Sequence, residues 1–262
     1  MTAQTESHVL SSASTSMGWS ENEASLPQGQ WALIDRLMRS PRVFAAGIES
    51  ASPERLAEIV RTMLITIVFA AGGFGAAVGV FRPGWQILSS AIKLPMILLL
   101  TAGLATPVLT TCLWATGGKQ TFLRDACLVV VTLALTALTL SALTPAVVLV
   151  AVSDASYHQM VLMVVGCSGF AGAVGLTFFL SALFRRKEGN RLFSSFALLF
   201  TFALVGTQLA WTLRPVIARP RAPFAVVRDL EGDFLGSVGT SFWSARGRYQ
   251  RPSAPLPDEG QP

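Results

Sequence analysis

Residues 126–152 read ACLVVVTLALTALTLSALTPAVVLVAV, a run with no charged side chain. A charge at mid-bilayer costs several kcal/mol and about 20 apolar residues cross the hydrocarbon core, so this run reads as a transmembrane helix. Four further charge-free runs share its character, at about 62–81, 94–116, 160–184 and 192–213. Together they predict an all-α polytopic bundle of five membrane spans across residues 62–213. N- and C-terminal amphipathic interfacial helices are expected to flank it.

Composition agrees. The 262 residues are 52% hydrophobic and 13% charged, with a mean hydropathy of +0.53. Soluble domains carry about 25% charged residues, so lipid is the implied solvent. The net charge of +5 gathers near helix ends, which suits anionic headgroups. It does not form the basic groove with interleaved aromatics that single-stranded nucleic acid requires. Cys112, Cys127 and Cys167 lie in or beside apolar runs and read as small packing residues rather than a disulfide framework.

Outward from the spans, residues 1–28 are rich in Ser and Thr and are expected to be a disordered polar tail without signal-peptide character. Residues 29–61 form an amphipathic region leading into the first span. Trp31, Ile34, Leu37 and Met38 alternate with Asp35, Arg36 and Arg39 until Pro41, and Phe44 and Ile48 mark a second short piece; such faces suit a membrane surface. Ser52-Pro53-Glu54 is a helix start, with Ser as cap and Pro at the first helical position. One helix is expected to run from there through Arg61 into the first span.

Arg82-Pro83-Gly84 stops that helix. Trp85 to Lys93, with Trp85, Leu88 and Ile92 against Gln86, Ser89 and Lys93, reads as interfacial, and Pro95 as the opening of the second span. Pro107 predicts a kink, and Pro145 interrupts the third span. Residues 214–243 combine a basic, Pro-rich segment with an amphipathic helix, and 244–262 form a disordered tail. Lys and Arg near span ends number nine on the N-terminal side and six on the other, which favours a cytoplasmic N-terminus. Arg185, Arg186, Lys187 and Arg191 are the topogenic cluster.

Chemistry-bearing strings are few. Gly166-Cys167-Ser168-Gly169 resembles the G-x-S-G of rhomboid intramembrane proteases. That chemistry needs a base within hydrogen-bond reach of the hydroxyl. His158 lies ten positions earlier, about 15 Å along a helix. Small residues explain the string more simply: Ala71, Gly75 and Gly79 in the first span, and Ser168, Gly169, Gly172 and Gly175 in the fourth, let helix backbones approach closely. These two spans are expected to pack on each other or across a dimer. Lys93 is the charge nearest a span. It is expected to snorkel to the headgroups, with an ion pair to Asp154 or to the acidic residues of the tail, or binding of a lipid phosphate, as the functional alternative. No catalytic set, cofactor-binding motif or metal-ligand spacing is present in the sequence.

Residues 41–235 resemble a bacterial family of polytopic membrane proteins of uncharacterised role. The likeness rests on Gly72 to Gly79, Ser90-Ala91-Ile92-Lys93-Leu94-Pro95, Gly206, Trp211-Thr212-Leu213-Arg214-Pro215, Pro223-Phe224 and Asp229-Leu230-Glu231-Gly232-Asp233-Phe234. The overall plan is also similar to the five-span Ypt-interacting (Yip) superfamily. Both resemblances imply fold and location more than role. The expectation is a non-enzymatic component of the bacterial inner membrane, a scaffold or accessory subunit touching lipid and an unidentified membrane partner or a second copy. A small transporter or channel hinged at Pro107 and Pro145, and an intramembrane serine hydrolase built on Ser168, are the alternatives.

Overall fold

The computed structural model describes residues 26–81, 84–115, 117, 121–153 and 156–185, together with Phe196, Leu199, Phe200 and Ala203. Among the described residues the chain is all-helical, in the order α1 (Gln30–Arg39), α2 (Pro41–Ser50), α3 (Pro53–Gly79), α4 (Trp85–Ala115), α5 (Phe122–Val152) and α6 (Tyr157–Arg185). The last four are each long and apolar enough to cross a membrane. The predicted fifth span, about 192–213, lies outside the described residues except for Phe196, Leu199, Phe200 and Ala203, which are helical and exposed. Residues 1–25 and the predicted segments 214–243 and 244–262 lie outside them altogether.

α3 begins where its sequence says it must. The Ser52 side chain accepts a hydrogen bond from the Arg55 amide at 3.4 Å, Pro53 occupies the first turn and Glu54 meets the positive end of the helix dipole. The helix then continues without a break through Arg61 into the first span. It ends at Gly79, and Gly84, at φ 118°, takes the left-handed backbone that returns the chain.

α4 departs from the sequence reading. Trp85–Lys93 is no separate interfacial piece: one helix runs from Trp85 to Ala115 with Pro95 and Pro107 inside it. A proline removes one backbone donor and frees the carbonyl four residues earlier, which a packed neighbour can accommodate within a membrane. Here the freed carbonyl is Ala91 O, which lies against α3, 3.5 Å from where a methyl on Gly72 would sit. α5 likewise runs through Pro145.

α5 is the hub. It packs against α3, α4 and α6, while α3 and α4 form an antiparallel pair. One hydrophobic cluster joins Leu33, Leu37, Phe44 and Ile48 of α1 and α2 to Ile59, Met63, Leu109, Leu128 and Phe179. A second gathers Phe74, Val78, Leu140, Val147, Met160 and Cys167 nearer the other end. α1 and α2 are therefore docked on the bundle through buried side chains. Asp35 and Arg39 bridge at 2.6 Å on the exposed side of α1, which raises the Arg39 pKa by hydrogen bonding and charge.

The two tryptophans of α4 give the bundle its vertical scale. Trp85 is 76% exposed and Trp114 58%, and 29 residues of α-helix separate them by about 43 Å. That matches a bilayer with its headgroup zones, where Trp side chains concentrate.

Candidate functional site

The first turns of α4 are amphipathic in the sense opposite to a surface helix. Trp85, Leu88 and Ile92 are exposed, whereas Gln86, Ser90 and Lys93, at spacings of four and three, are buried on one face. Gln86 donates its side-chain amide to the Ser90 hydroxyl at 3.2 Å. In lipid the apolar face belongs outside and the polar face inside, so the arrangement follows from the solvent.

Glycines on α3 make room for it. A methyl on Gly75 would run into the Ser90 carbonyl and sit 2.9 Å from that carbonyl's carbon; one on Gly79 would lie 2.5 Å from Ile87 Cα. Ala71 is fully buried on the same α3 face. The segments Gly72–Gly79 and Ser90–Pro95 thus meet. This small-residue face packs on α4. The α3 and α6 backbones approach closely at few points, while Phe74 and Val78 of α3 share a buried cluster with Met160, Cys167 and Ala171 of α6.

Lys93 is 5% exposed, so its side chain is enclosed by protein. Counted from the midpoint between Trp85 and Trp114, its Cα sits about 10 Å from mid-bilayer, within the hydrocarbon. An ionisable group held at that depth is the strongest pointer to a functional position in this chain.

A second buried charge lies at the opposite end. Asp125, in the first turn of α5, is fully buried, and Thr110 of α4 donates its hydroxyl to the carboxylate at 3.0 Å. Along α4 the level of Thr110 is about 25 Å from Lys93, so the two charges are separate features. Asp154, Arg186, Lys187 and Arg191 lie outside the described residues; Arg185 is exposed in the last turn of α6.

The small residues of α6 divide. Gly175 faces α5, where a methyl would strike the Thr136 hydroxyl and lie 3.2 Å from Thr132 O. Gly169 and Gly172 have no atom within 4 Å of an added methyl, and Ser168 is exposed. His158 is half-buried ten residues before Ser168 on the same helix, and the structure does not bring them together.

Most threonines in the spans satisfy themselves. Thr66, Thr101, Thr106, Thr132, Thr136 and Thr139 each return the hydroxyl to a carbonyl one turn back on their own helix. A cleft of about 580 Å³ opens between α3 and α5, lined by Gly73, Ser141, Thr144, Pro145, Val148, Leu149 and Val152. Its walls are mainly apolar. Among the described residues no three His, Cys, Asp or Glu side chains gather as a metal site would need, and the three cysteines are unbridged.

Sequence reasoning named Gln86 only as part of an interfacial face and Ser90 only within a resemblance, and gave Asp125 no role. The signal for the first two was the 86–90–93 spacing, which becomes legible once lipid rather than water is taken as the outside.

Four apolar helices crossing in succession define an integral, multi-pass membrane protein. Compared with protein-family models, with curated proteins and with solved structures, the chain matches none.

Proposed function

We propose that this protein is a non-enzymatic scaffold or accessory subunit of an assembly in the bacterial inner membrane, with its N-terminus in the cytoplasm. The observation that carries the reading is the docked pair α1 and α2. Leu33, Leu37, Phe44 and Ile48 anchor them to the bundle, while Trp31, at 83% exposure, and Met38 point away from it. A helix pair fixed in this way offers lipid or a partner a pre-organised surface, and pre-organisation lowers the entropic cost of association. Arg55, Arg61, Arg124 and Arg185 stand at this end of the spans, which supports a cytoplasmic placement. The likeness to the bacterial family and to the Yip plan agrees with that location.

Crosslinking in native membranes from a photoreactive residue at position 31 tests the reading. It is expected to capture one or a few defined membrane proteins. Purified protein that moves a solute across liposomes on its own would overturn it.

One observation favours a second reading, the small transporter or channel: Lys93 lies inside the protein at hydrocarbon depth beside Gln86 and Ser90. In that case liposome flux appears and Lys93→Met abolishes it. The hydrolase reading requires Ser168 to be labelled by a fluorophosphonate probe, and Ser168→Ala to lose the label.

A further inference from the structure

The cleft between α3 and α5 is a gap in an otherwise closed contact. Phe74, Leu140 and Val147, each a sequence neighbour of a lining residue, are buried together in one cluster. The inner side is therefore shut, and the cleft opens on the outside of the bundle. Gly73 makes the room: it is exposed, and a methyl added there meets nothing within 4 Å. The walls ask for little water. Thr144 returns its hydroxyl to the Leu140 carbonyl, and apart from Ser141 the remaining lining side chains are apolar.

The bond between Thr110 and Asp125 sets the depth. Thr110 lies about 16 Å from the midpoint between Trp85 and Trp114, and α5 runs from Asp125 toward the Trp85 end. Counted along α5, Ser141 falls about 8 Å beyond mid-bilayer and Val152 about 24 Å beyond it. The cleft thus reaches from the headgroup zone into the inner part of one leaflet, whose hydrocarbon is about 15 Å deep. Phe69, one turn before Gly73, is exposed, as are Leu149 and Val152. The hollow therefore continues the apolar surface that meets lipid. At about 580 Å³ it has the size of a ligand site, and an apolar hollow does not hold ordered water.

We infer that this cleft is a fixed seat for one acyl chain of a bilayer phospholipid from the leaflet at the Trp85 end. The ester end of the chain lies by Leu149 and Val152, and its far end between Gly73 and Ser141. A chain lodged there closes the contact between α3 and α5 that Gly73 leaves open.

The test reconstitutes the full-length protein in phosphatidylethanolamine and phosphatidylglycerol vesicles with a trace of phosphatidylcholine whose chain carries a photoactivatable diazirine. Peptides covering 141–152 are expected to be labelled in excess of the belt of Leu88, Ile92, Met96 and Leu100 on α4, which is exposed or half-exposed to bulk lipid. A diazirine at the chain end is expected to mark 141–145, and one near the ester 149–152. Gly73→Phe, whose ring enters the open space, is expected to remove the excess and leave the labelling of α4 unchanged. Val148→Phe should do the same from the opposite wall. Labelling of 141–152 no greater than that of α4, an excess that survives both substitutions, or the reverse order of the two diazirine positions would each overturn the inference. A photoreactive residue at position 148 that captures protein in place of lipid would overturn it too.

Discussion

Thr110 of α4 donates its hydroxyl to the fully buried carboxylate of Asp125 on α5, at 3.0 Å. The bond ties the end of one membrane-crossing helix to the start of the next, where the intervening turn passes through Gly117 at φ 86°. Asp125 also stands in the first turn of α5, where the helix dipole favours a negative charge.

Removing the donor should therefore be felt. A hydrogen bond to a charged group contributes about 1.5–3 kcal/mol. Thr110→Val is expected to lower unfolding stability in detergent by roughly that amount, and Thr110→Ser to retain most of it. Chemical denaturation of the purified variants checks this; a Thr110→Val protein as stable as the parent would show the carboxylate to be fully served by other groups.

Glycine positions on α3 should separate sharply by face. Gly79→Ala places a methyl 2.5 Å from Ile87 Cα, and Gly75→Ala one 2.9 Å from the Ser90 carbonyl carbon. Both neighbours are backbone, which cannot step aside without moving α4. Overpacking of this kind costs about 1–3 kcal/mol. Gly73→Ala, with nothing within 4 Å, is expected to be neutral or slightly stabilising because alanine is the better helix former. Unfolding of the three variants in one detergent ranks them; equal losses at all three sites would refute the face assignment.

The same contrast explains what the sequence made legible. Charge-free runs announced the four crossing helices, and Ser52-Pro53-Glu54 located the start of α3, because desolvation and capping are local effects that composition and spacing report directly. The interior of the bundle was harder to read. Gln86, Ser89 and Lys93 were read as the polar side of an interfacial helix because an amphipathic pattern fixes two faces without saying which one the solvent takes. Asp125 escaped notice at the edge of its run: a carboxylate one turn inside a helix is equally at home in a loop or a core until the neighbouring Thr110 is known. Ser168 and Gly172 share the four-residue spacing of Gly75 and Gly79, yet Ser168 is exposed and a methyl on Gly172 meets nothing within 4 Å, since spacing marks a surface fit for close approach and not the helix that arrives there.

The Trp85 and Trp114 positions predict the protein's depth in the bilayer. In chains retaining one or the other as the sole tryptophan, quenching by lipids brominated at graded depths is expected to place each indole near the hydrocarbon–headgroup boundary, about 15 Å or more from the centre. The two should be accessible to aqueous quencher from opposite sides of a sealed vesicle. Placement of either indole near mid-bilayer would require a different tilt for α4.

Lys93 decides between a solid interior and a wet one. Its side chain is buried, and at Gly75 and Gly79 the α3 and α4 backbones approach too closely for a water-filled passage between them. A cysteine at this position in membranes is therefore expected to react slowly with a membrane-impermeant maleimide, whereas Gly84→Cys in the exposed turn reacts fast. If Lys93→Cys is labelled as quickly as Gly84→Cys, water enters from the Trp85 end, and the lysine lines a vestibule as the transporter reading requires. Slow labelling combined with wild-type stability of Lys93→Met would show that the charge is dispensable to folding. The reason for holding a cation at hydrocarbon depth would then lie in what the assembled protein does, since a buried charge without structural return is one that packing alone would replace with an apolar side chain.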